Sequence, residues 1–465
     1  MPGSRLFVQL GLLSRRGFGR LTPEPFVIAV LLSTLVLVMG LAATFDDPGA
    51  SQQLLLGWQS PTGLWKLLAF TMQASLMLVL GGALAAAPPV RRGVVALVKL
   101  AGNGRQLVGL TALVSIGLGV VNWSLSLICG ALFARAAGVE AKRMNLQLHY
   151  PILCAAGYAG LMVWHGGLSG TAPLKSTTTQ DMIEIAGPEL AAQVGTLPLD
   201  ITLFGSLNLV VTGGLLILGP LLFMALTPRD GDDPKPMTIP DHVAAQEVDE
   251  EPARAKPKDR LEALEQAPWV TWLLALPMAV ALGISIGHHG IGRIGLNTVN
   301  LTLWLLALLM HRRPDRFVAA CGQSIKSCTG IFILFPLYAG IMGLLTASGL
   351  SVQLSEWFAH TGSAWFSSVT FFSAGLLNMF VPSGGGQWAI QGPILLSAAL
   401  ERGLAPENVM MAMAYGDQWS NMLQPFWAVP LLAITGVRAR DIVGYSVLWM
   451  LFGGLWMVGC LIVLT

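Results

Sequence analysis

Three consecutive glycines lie between a proline and a glutamine in the second half of the chain. Residues 378–394 read N-M-F-V-P-S-G-G-G-Q-W-A-I-Q-G-P-I. Pro382 ends one helix and Gln387 can begin another, so uncovered backbone amides and a helix N-terminus meet there. Such amides attract anions, although a glycine kink that only allows close packing is the alternative. The residues assigned to an anion site here are Asn378, Ser383, Gly384, Gly385, Gly386, Gln387 and Trp388.

A second polar run surrounds an acid within an apolar segment. Residues 415–427 read Y-G-D-Q-W-S-N-M-L-Q-P-F-W. An acid at membrane depth is costly and commonly belongs to an ion or proton path, unless it lies near the membrane surface. No Lys or Arg stands three or four residues from Asp417, so a mobile Na⁺ or H⁺ is the simplest partner. We therefore predict ion coupling by Asp417, Ser420 and Asn421, and we add Trp419 to the substrate residues.

The first half contains matching interruptions of its apolar segments. Residues 164–173 are glycine-rich and carry His165. Histidine is the residue type that can change its charge near physiological pH, so His165 is a second ion-coupling candidate, with a helix–helix hydrogen-bond donor as the alternative. Upstream, the polar run 121–126 predicts a turn whose side chains face the substrate. Its candidate substrate residues are Asn122, Ser124 and Ser126. The tryptophans that flank the four interruptions, and that can form an apolar wall, are Trp123, Trp164, Trp388 and Trp419.

Composition identifies the setting of these residues. Hydrophobic residues make up 54% of the 465 positions and charged residues only 11%, against roughly 25% in soluble domains. The net charge is +2, which excludes a nucleic-acid partner. Five cysteines without metal-ligand spacing indicate free thiols. The chain lacks P-loop, zinc and haem motifs, so we expect no enzyme, cofactor or resident metal, only a transported Na⁺ or H⁺.

Charge divides the chain into two apolar halves. Residues 227–267 hold 17 of the 52 charged residues and six prolines, which predicts a water-exposed cytoplasmic linker with a short helix near 260–266. It joins a first membrane half, 1–226, to a second, 268–465. An all-α polytopic membrane protein of about nine spans is therefore expected. The spans are placed near 26–44, 67–87, 150–174, 201–226, 268–287, 296–311, 328–348, 408–435 and 442–464.

Loop charge predicts the orientation of these spans, because basic loops are cytoplasmic. Basic residues bracket segment 106–134, which is too short for two crossings and therefore reads as a re-entrant hairpin from the cytoplasm. They lie at Arg91, Arg92, Lys99, Arg105, Arg135, Lys142 and Arg143. Segment 363–400 reads as a hairpin from the opposite side. The loop charges therefore predict two inverted-topology repeats, each with a hairpin and a broken helix, and a cytoplasmic N-terminus.

The spacing of tyrosine, proline and asparagine residues in the two halves supports the predicted internal repeat. Tyr158 precedes Pro173 by fifteen residues, and Tyr415 precedes Pro430 by the same number. Asn122 lies 36 residues before Tyr158, and Asn378 lies 37 residues before Tyr415. A shared spacing of polar and breaking residues is what duplicated segments retain.

The runs at 378–393 and 415–427 resemble signatures of the bacterial short-chain fatty acid transporter family, within the ion transporter superfamily. The resemblance covers about residue 20 to the end. It implies an inner-membrane secondary transporter of small monocarboxylates such as butyrate or acetoacetate, and often a homodimer. A passive anion channel is the alternative. A membrane-embedded aspartyl protease would need a second membrane Asp beside Asp417, and none is evident.

The first hairpin makes a labelling prediction. Single cysteines at Val95 and Glu140, without the native cysteines, should react with an impermeant thiol reagent only from the cytoplasmic side. Both positions belong to basic stretches, although an apolar segment separates them. Labelling of the two positions from opposite sides would contradict the hairpin and the inverted repeat.

Overall fold

A computed structural model describes residues 2–228, 232, 237–241, 243, 257–289, 296–359, 362 and 365–465. The described part of the first half is helical. Its α-helices are α1 (Pro2–Leu21), α2 (Pro25–Ala43), α3 (Pro48–Trp58), α4 (Leu68–Ala86), α5 (Pro88–Leu100), α6 (Gly104–Val121), α7 (Trp123–Arg143), α8 (Tyr150–Tyr158), α9 (Thr171–Lys175), α10 (Thr179–Ala186), α11 (Pro188–Val194) and α12 (Ser206–Leu226). A 3₁₀ turn, Ala159–Met162, extends α8.

The described part of the second half is helical as well, with a 3₁₀ turn at Ile325–Cys328. Its α-helices are α13 (Arg260–Glu265), α14 (Pro268–His289), α15 (Leu296–His311), α16 (Pro314–Ser324), α17 (Thr329–Ala347), α18 (Leu350–Ala359), α19 (Phe366–Asn378), α20 (Gly384–Glu401), α21 (Pro406–Ser420), α22 (Pro425–Thr435) and α23 (Ala439–Leu464).

Eight helices in the described residues are long and apolar enough to cross a membrane: α2, α4, α6, α7, α12, the α13–α14 segment, α17 and α23. The prediction of an all-α polytopic membrane protein is confirmed. Six of the nine predicted spans coincide with these helices. The other three contain a shorter helix, α15, or the interrupted pairs α8–α9 and α21–α22. The expectation that segment 106–134 is too short for two crossings is wrong, because α6 and α7 extend beyond it and each is long enough to cross. The re-entrant hairpins and the inverted orientation of the two halves stay predictions.

Helices α6 and α7 form the first hairpin, which reverses at a single residue. Asn122 has extended backbone angles, φ −159° and ψ 129°, and its Oδ1 accepts from the amides of Ser124 and Leu125 at the start of α7. The Ser126 hydroxyl donates to the carbonyl of Ser115 at 2.7 Å, which ties the two arms together. The basic loop expected around 135–143 is wrong, because α7 continues to Arg143 without a break.

Helices α19 and α20 form the second hairpin, with the turn at residues 379–383. The expected helix start at Gln387 is wrong, because α20 begins at Gly384. Ser383 caps it, and its hydroxyl accepts from the Gly386 amide at 3.2 Å. A serine cap compensates for the weak helix propensity of the glycines that follow it.

About half of the linker predicted over 227–267 lies outside the described residues. Its described part includes α13, where a short helix was expected, and residues that touch the first half. The Met237 carbonyl accepts from the Tyr150 amide at 2.9 Å, and Asp241 pairs with Lys142 at 2.6 Å. Helix α1 was not anticipated. It packs along α23, where the Ser14 hydroxyl donates to the Gly444 carbonyl.

Glycines allow the first hairpin to pack directly on α8 and its 3₁₀ extension. A Cβ on Gly160 would collide with the Ser126 hydroxyl and the Ser115 carbonyl oxygen. A Cβ on Gly130 would likewise meet the carbonyl oxygen of Gly157. Backbones that approach this closely are typical of helix packing in membranes, where small residues replace the hydrophobic driving force.

This contact generates a stability prediction. Gly160→Ala should destabilise the detergent-purified protein by roughly 1–3 kcal/mol, because the added methyl overpacks the hairpin contact. Gly117→Ala on α6 is the matched control, since a Cβ there meets nothing within 4 Å. Thermal denaturation of the two variants checks the difference. Equal melting temperatures would contradict the close approach.

Candidate functional site

The two interrupted helices are joined by hydrogen bonds at or near their breaks. In the second half, the break at residues 421–424 presents carbonyl groups to the first half: the Tyr158 hydroxyl donates to Asn421 O at 2.7 Å. In return, the Tyr415 hydroxyl donates to Asn208 Oδ1 at 3.1 Å, and Asn208 Nδ2 donates to Gly166 O at 2.8 Å. The tyrosines that marked the repeat in the sequence therefore make reciprocal contacts across the two halves.

A cavity of about 270 Å³ lies where the hairpin tips and the helix breaks meet. Both halves contribute to it. Its lining residues are Leu67, Phe70, Trp123, Leu161, Trp164, Thr171, Pro382, Ser383, Gly384, Gly385, Asn421, Phe426 and Trp427. None of these described residues is charged. The volume is at the small end of ligand pockets, which suits a ligand of few atoms.

The first residues of three helices of eleven residues or more line this cavity. Trp123 is the first residue of α7, Gly384 and Gly385 open α20, and Phe426 and Trp427 follow the proline that opens α22. Each helix N-terminus carries a partial positive charge from its aligned peptide dipoles. The converging N-termini therefore make the cavity attractive to an anion without an Arg or Lys side chain.

Several residues that line the cavity carry unpartnered N–H groups. The amides of Gly384 and Gly385 have no hydrogen-bond partner among the described residues, as expected of the first turn of a helix. Trp164 Nε1 and Asn421 Nδ2 are buried and also unpartnered in the described structure. A buried donor without an acceptor is costly, so four such donors around one cavity indicate an anionic or acceptor-rich ligand.

Asn378 determines the orientation of the Asn421 amide. Asn378 Nδ2 donates to Asp417 O at 2.9 Å, which identifies it as the nitrogen, and to Asn421 Oδ1 at 2.8 Å. The Nδ2 of Asn421 must therefore be the unpartnered atom. Ser420 Oγ lies 2.9 Å from Asn378 Nδ2, so the two hydrogens of that nitrogen are shared among three acceptors. The side-chain oxygens that were candidate Na⁺ ligands thus accept from an amide N–H₂.

Aromatic rings form a further part of the cavity lining. Trp123 and Trp427 pack edge to face with ring centroids 5.0 Å apart, and Phe426 and Trp427 do so at 4.9 Å. Phe70 lies against Trp123 and Phe426 at 6.2 Å from each. This wall suits an apolar tail. The sequence analysis included Trp123 and Trp164 but missed Phe70, Phe426 and Trp427, although the last two belong to the quoted run 415–427.

Asp417 has a fixed partner that the sequence analysis did not find. Its Oδ2 contacts His165 Nδ1, and both side chains are almost fully buried, at 1% and 0% exposure. The search for partners along one helix could not find His165, because 252 positions separate the pair. The break that carries His165 is held by Gln418, whose Oε1 accepts from the amides of His165 and Gly166 at 3.0 Å each.

The remaining candidates lie outside the cavity lining within the described structure. The Ser124 hydroxyl donates to Asn122, so these two residues and Ser126 serve the hairpin itself. The Gly386 amide is taken by Ser383, and Gln387 Nε2 donates to Ala374 O at 2.9 Å. The two tryptophans that face other helices are Trp388, which is fully buried, and Trp419, which donates to Met450 O.

The fold and the site together define a polytopic membrane protein with a small anion-attracting cavity between two helix breaks. A family described as "Short chain fatty acid transporter" matches residues 10–464. The chain belongs to the short-chain fatty acid transporter family, whose members are named as transporters and not as enzymes.

Two relatives are similar over nearly their whole length. A protein of Escherichia coli K12, provisionally named a short-chain fatty acid transporter, is 35% identical over 96% of this chain and 98% of its own. A protein of Haemophilus influenzae with the same provisional name is 32% identical over 92% of this chain and 94% of its own. Among solved structures, the efflux pump MtrF of Neisseria gonorrhoeae aligns over 96% of this chain and 95% of its own, with a TM-score of 0.43 and 14% identity, which is too remote to establish the fold.

Proposed function

We propose that the protein is a secondary active transporter that moves short-chain monocarboxylates such as butyrate or acetoacetate across the inner membrane. The observation that carries this proposal is the set of neutral, unpartnered N–H donors at one wall of the cavity. A carboxylate offers acceptor oxygens for several such donors at once. Transport is coupled to H⁺ or Na⁺, and the N-terminus is cytoplasmic.

The substrate carboxylate would lie against the amides of Gly384 and Gly385, with Asn421 Nδ2 and Trp164 Nε1 within the same wall. Its short alkyl chain would lie against the rings of Phe70, Trp123 and Trp427. The described lining carries no Lys or Arg for a second carboxylate, which favours a monoanion over a dicarboxylate. The small volume favours a short chain over a long fatty acid.

A carrier is favoured over a passive channel by the construction of the site. Channels select ions with rings of groups along a continuous pore. Here one cavity lies between two halves that each contribute a hairpin tip and a broken helix, as in carriers that alternate access by moving one unit against another. A homodimer is part of the proposal on the family resemblance alone.

Counterflow separates these two mechanisms. Proteoliposomes loaded with unlabelled butyrate should transiently accumulate labelled butyrate from a dilute external pool, because a carrier exchanges one substrate for another. Protein-free liposomes correct for passage of the neutral acid through the lipid. A protein-dependent flux that only equilibrates the label, without overshoot, would indicate a channel.

The glycine amides make a second prediction. Gly385→Val should weaken butyrate binding by roughly 10–100-fold, because the branched side chain covers the first-turn amides and costs about 1.5–3 kcal/mol of hydrogen bonding to a charged group. A Cβ on Gly385 meets only the Thr171 methyl, at 3.2 Å, so the fold should tolerate the change. Calorimetric titration of the detergent-purified protein measures the affinity.

Gly283→Val on α14 is the matched control, since a Cβ there meets nothing within 4 Å. Its butyrate affinity should equal that of the wild type. Normal affinity in Gly385→Val would show that the glycines serve only close packing.

A further inference from the structure

We infer that the coupling ion is H⁺ and that Asp417 carries it, with His165 as the residue that positions its carboxyl group. The inference rests on the proposed function and deepens it. It starts from the contact between Asp417 Oδ2 and His165 Nδ1, which joins the second half of the chain to the first. Neither residue lines the cavity, but both lie directly behind the wall that carries the glycine amides.

The hydrogen bonds of His165 determine its tautomer. The backbone amide of Ala172 donates to His165 Nε2 at 3.0 Å. A backbone N–H can only donate, so Nε2 carries a lone pair and the proton of the neutral ring is on Nδ1. That proton faces Asp417 Oδ2. When Asp417 is ionised, the pair is a neutral imidazole that donates to a carboxylate, and it carries a net charge of −1.

An added proton goes to the carboxylate. Protonation of His165 at Nε2 would set two N–H groups against each other and break the bond to Ala172. Protonation of Asp417 leaves this bond in place. A hydronium ion from the cavity gives up its proton to form the carboxyl O–H bond, and the same bond breaks when the proton leaves. The pair then changes between −1 and zero.

No other described charge competes for this role. On the elements packed around the pair, Lys175 of α9 pairs with Glu184 on a half-exposed surface. Tyr415 of α21 donates to Asn208. Helices α12 and α19 carry no ionisable side chain. The other neighbouring helices carry their ionisable residues near their ends, at Glu401, Glu407, Arg440, Asp441 and Tyr445. Cys460 of α23 faces Tyr415.

Asp417 and the substrate compete for one helix N-terminus. A Cβ built on Gly384 would lie 2.8 Å from His165 Cε1 and 3.1 Å from Asp417 Oδ2, so the carboxylate lies behind the first residue of α20. Gly384 and Gly385 themselves line the cavity. With Asp417 ionised, the partial positive charge of α20 already has an anion beside it, and a second carboxylate is repelled. Protonation removes that repulsion.

Proton and monoanion are therefore taken up together. The site holds one negative charge when empty, on Asp417, and one when loaded, on the substrate. A cycle that carries one of each moves no net charge. The side-chain oxygens once assigned to Na⁺, those of Ser420 and Asn421, accept instead from Asn378 Nδ2, whose partial positive charge opposes a cation at that point.

Proton uptake on binding tests this inference. The full-length protein in detergent is titrated with choline butyrate in Na⁺-free buffers of different ionisation enthalpy, from pH 5.5 to 8.5. The wild type should take up close to one proton per butyrate at the alkaline end, and its Kd should rise about tenfold per pH unit there, because only the protonated fraction binds. Asp417→Asn should bind with a Kd independent of pH and take up no proton.

Two further variants assign the proton within the pair. His165→Asn keeps an N–H₂ donor but has no ring to titrate, so its Kd should still depend on pH. Glu184→Gln changes an exposed acid outside the cavity and should behave as the wild type does. A pH-independent Kd in the wild type, a requirement for Na⁺, or proton uptake that survives in Asp417→Asn but not in His165→Asn would each overturn the inference.

Failure of the proposed function has a different signature. If neither the wild type nor Asp417→Asn binds butyrate at any pH, the assignment of the cavity to monocarboxylates is wrong, and this inference is overturned with it. Binding of butyrate by the wild type at a constant Kd, without proton uptake, would overturn the inference alone and leave the monocarboxylate site standing.

Discussion

Backbone N–H and C=O groups at membrane depth have no water to bond, and this constraint governs every break in the membrane helices. Side-chain amides form many of the hydrogen bonds that these backbone groups need. Gln418 accepts from two amides of the first break, and Gln424 Nε2 donates to the carbonyls of Asn378 and Met379 at 2.8 and 3.1 Å. The amides of Gly384 and Gly385 at the second hairpin remain without a partner in the described structure, and both residues line the cavity, so they can serve the ligand in the proposed site.

Local sequence was enough to predict where the helices break. An apolar helix cannot continue uninterrupted through Pro382 and the glycines after it, or through the polar run around Pro425. The positions of these breaks can therefore be predicted from residue type. The exact start of α20 was missed by three residues, because a serine cap at Ser383 lets glycines begin a helix despite their low propensity.

Contacts between the two halves could not be predicted in the same way. The partner of Asp417 lies on the other side of the chain's midpoint, and no periodicity relates the two positions. The converse error concerns the polar residues of the first hairpin, Asn122, Ser124 and Ser126. Their polarity suggested contact with a ligand, but their side chains form hydrogen bonds within the hairpin. A polar residue at a break can serve either the backbone or the cavity, and only the packed structure distinguishes these roles.

The use of neutral donors instead of a cation follows from the size of the charge to be bound. An Arg or Lys in this apolar cavity would need a permanent partner when the site is empty, since a lone buried charge is costly. Helix N-termini and amide groups attract a single negative charge at a smaller cost in desolvation. They also release it readily, which a carrier requires and a tight ion pair would oppose.

The placement of His165 and Asp417 on different halves links their chemistry to the movement of those halves. His165 lies in the break of the first interrupted helix, and Asp417 lies on α21 of the second half, three residues before its end. Hairpin α19–α20 supplies the amides, while Trp123 and Phe70 of the first half supply part of the apolar wall. Any motion of one half against the other therefore changes the cavity and the His165–Asp417 contact together. In the proposed cycle, a displacement that opens the cavity would therefore also separate Asp417 from its N–H donor on the other half.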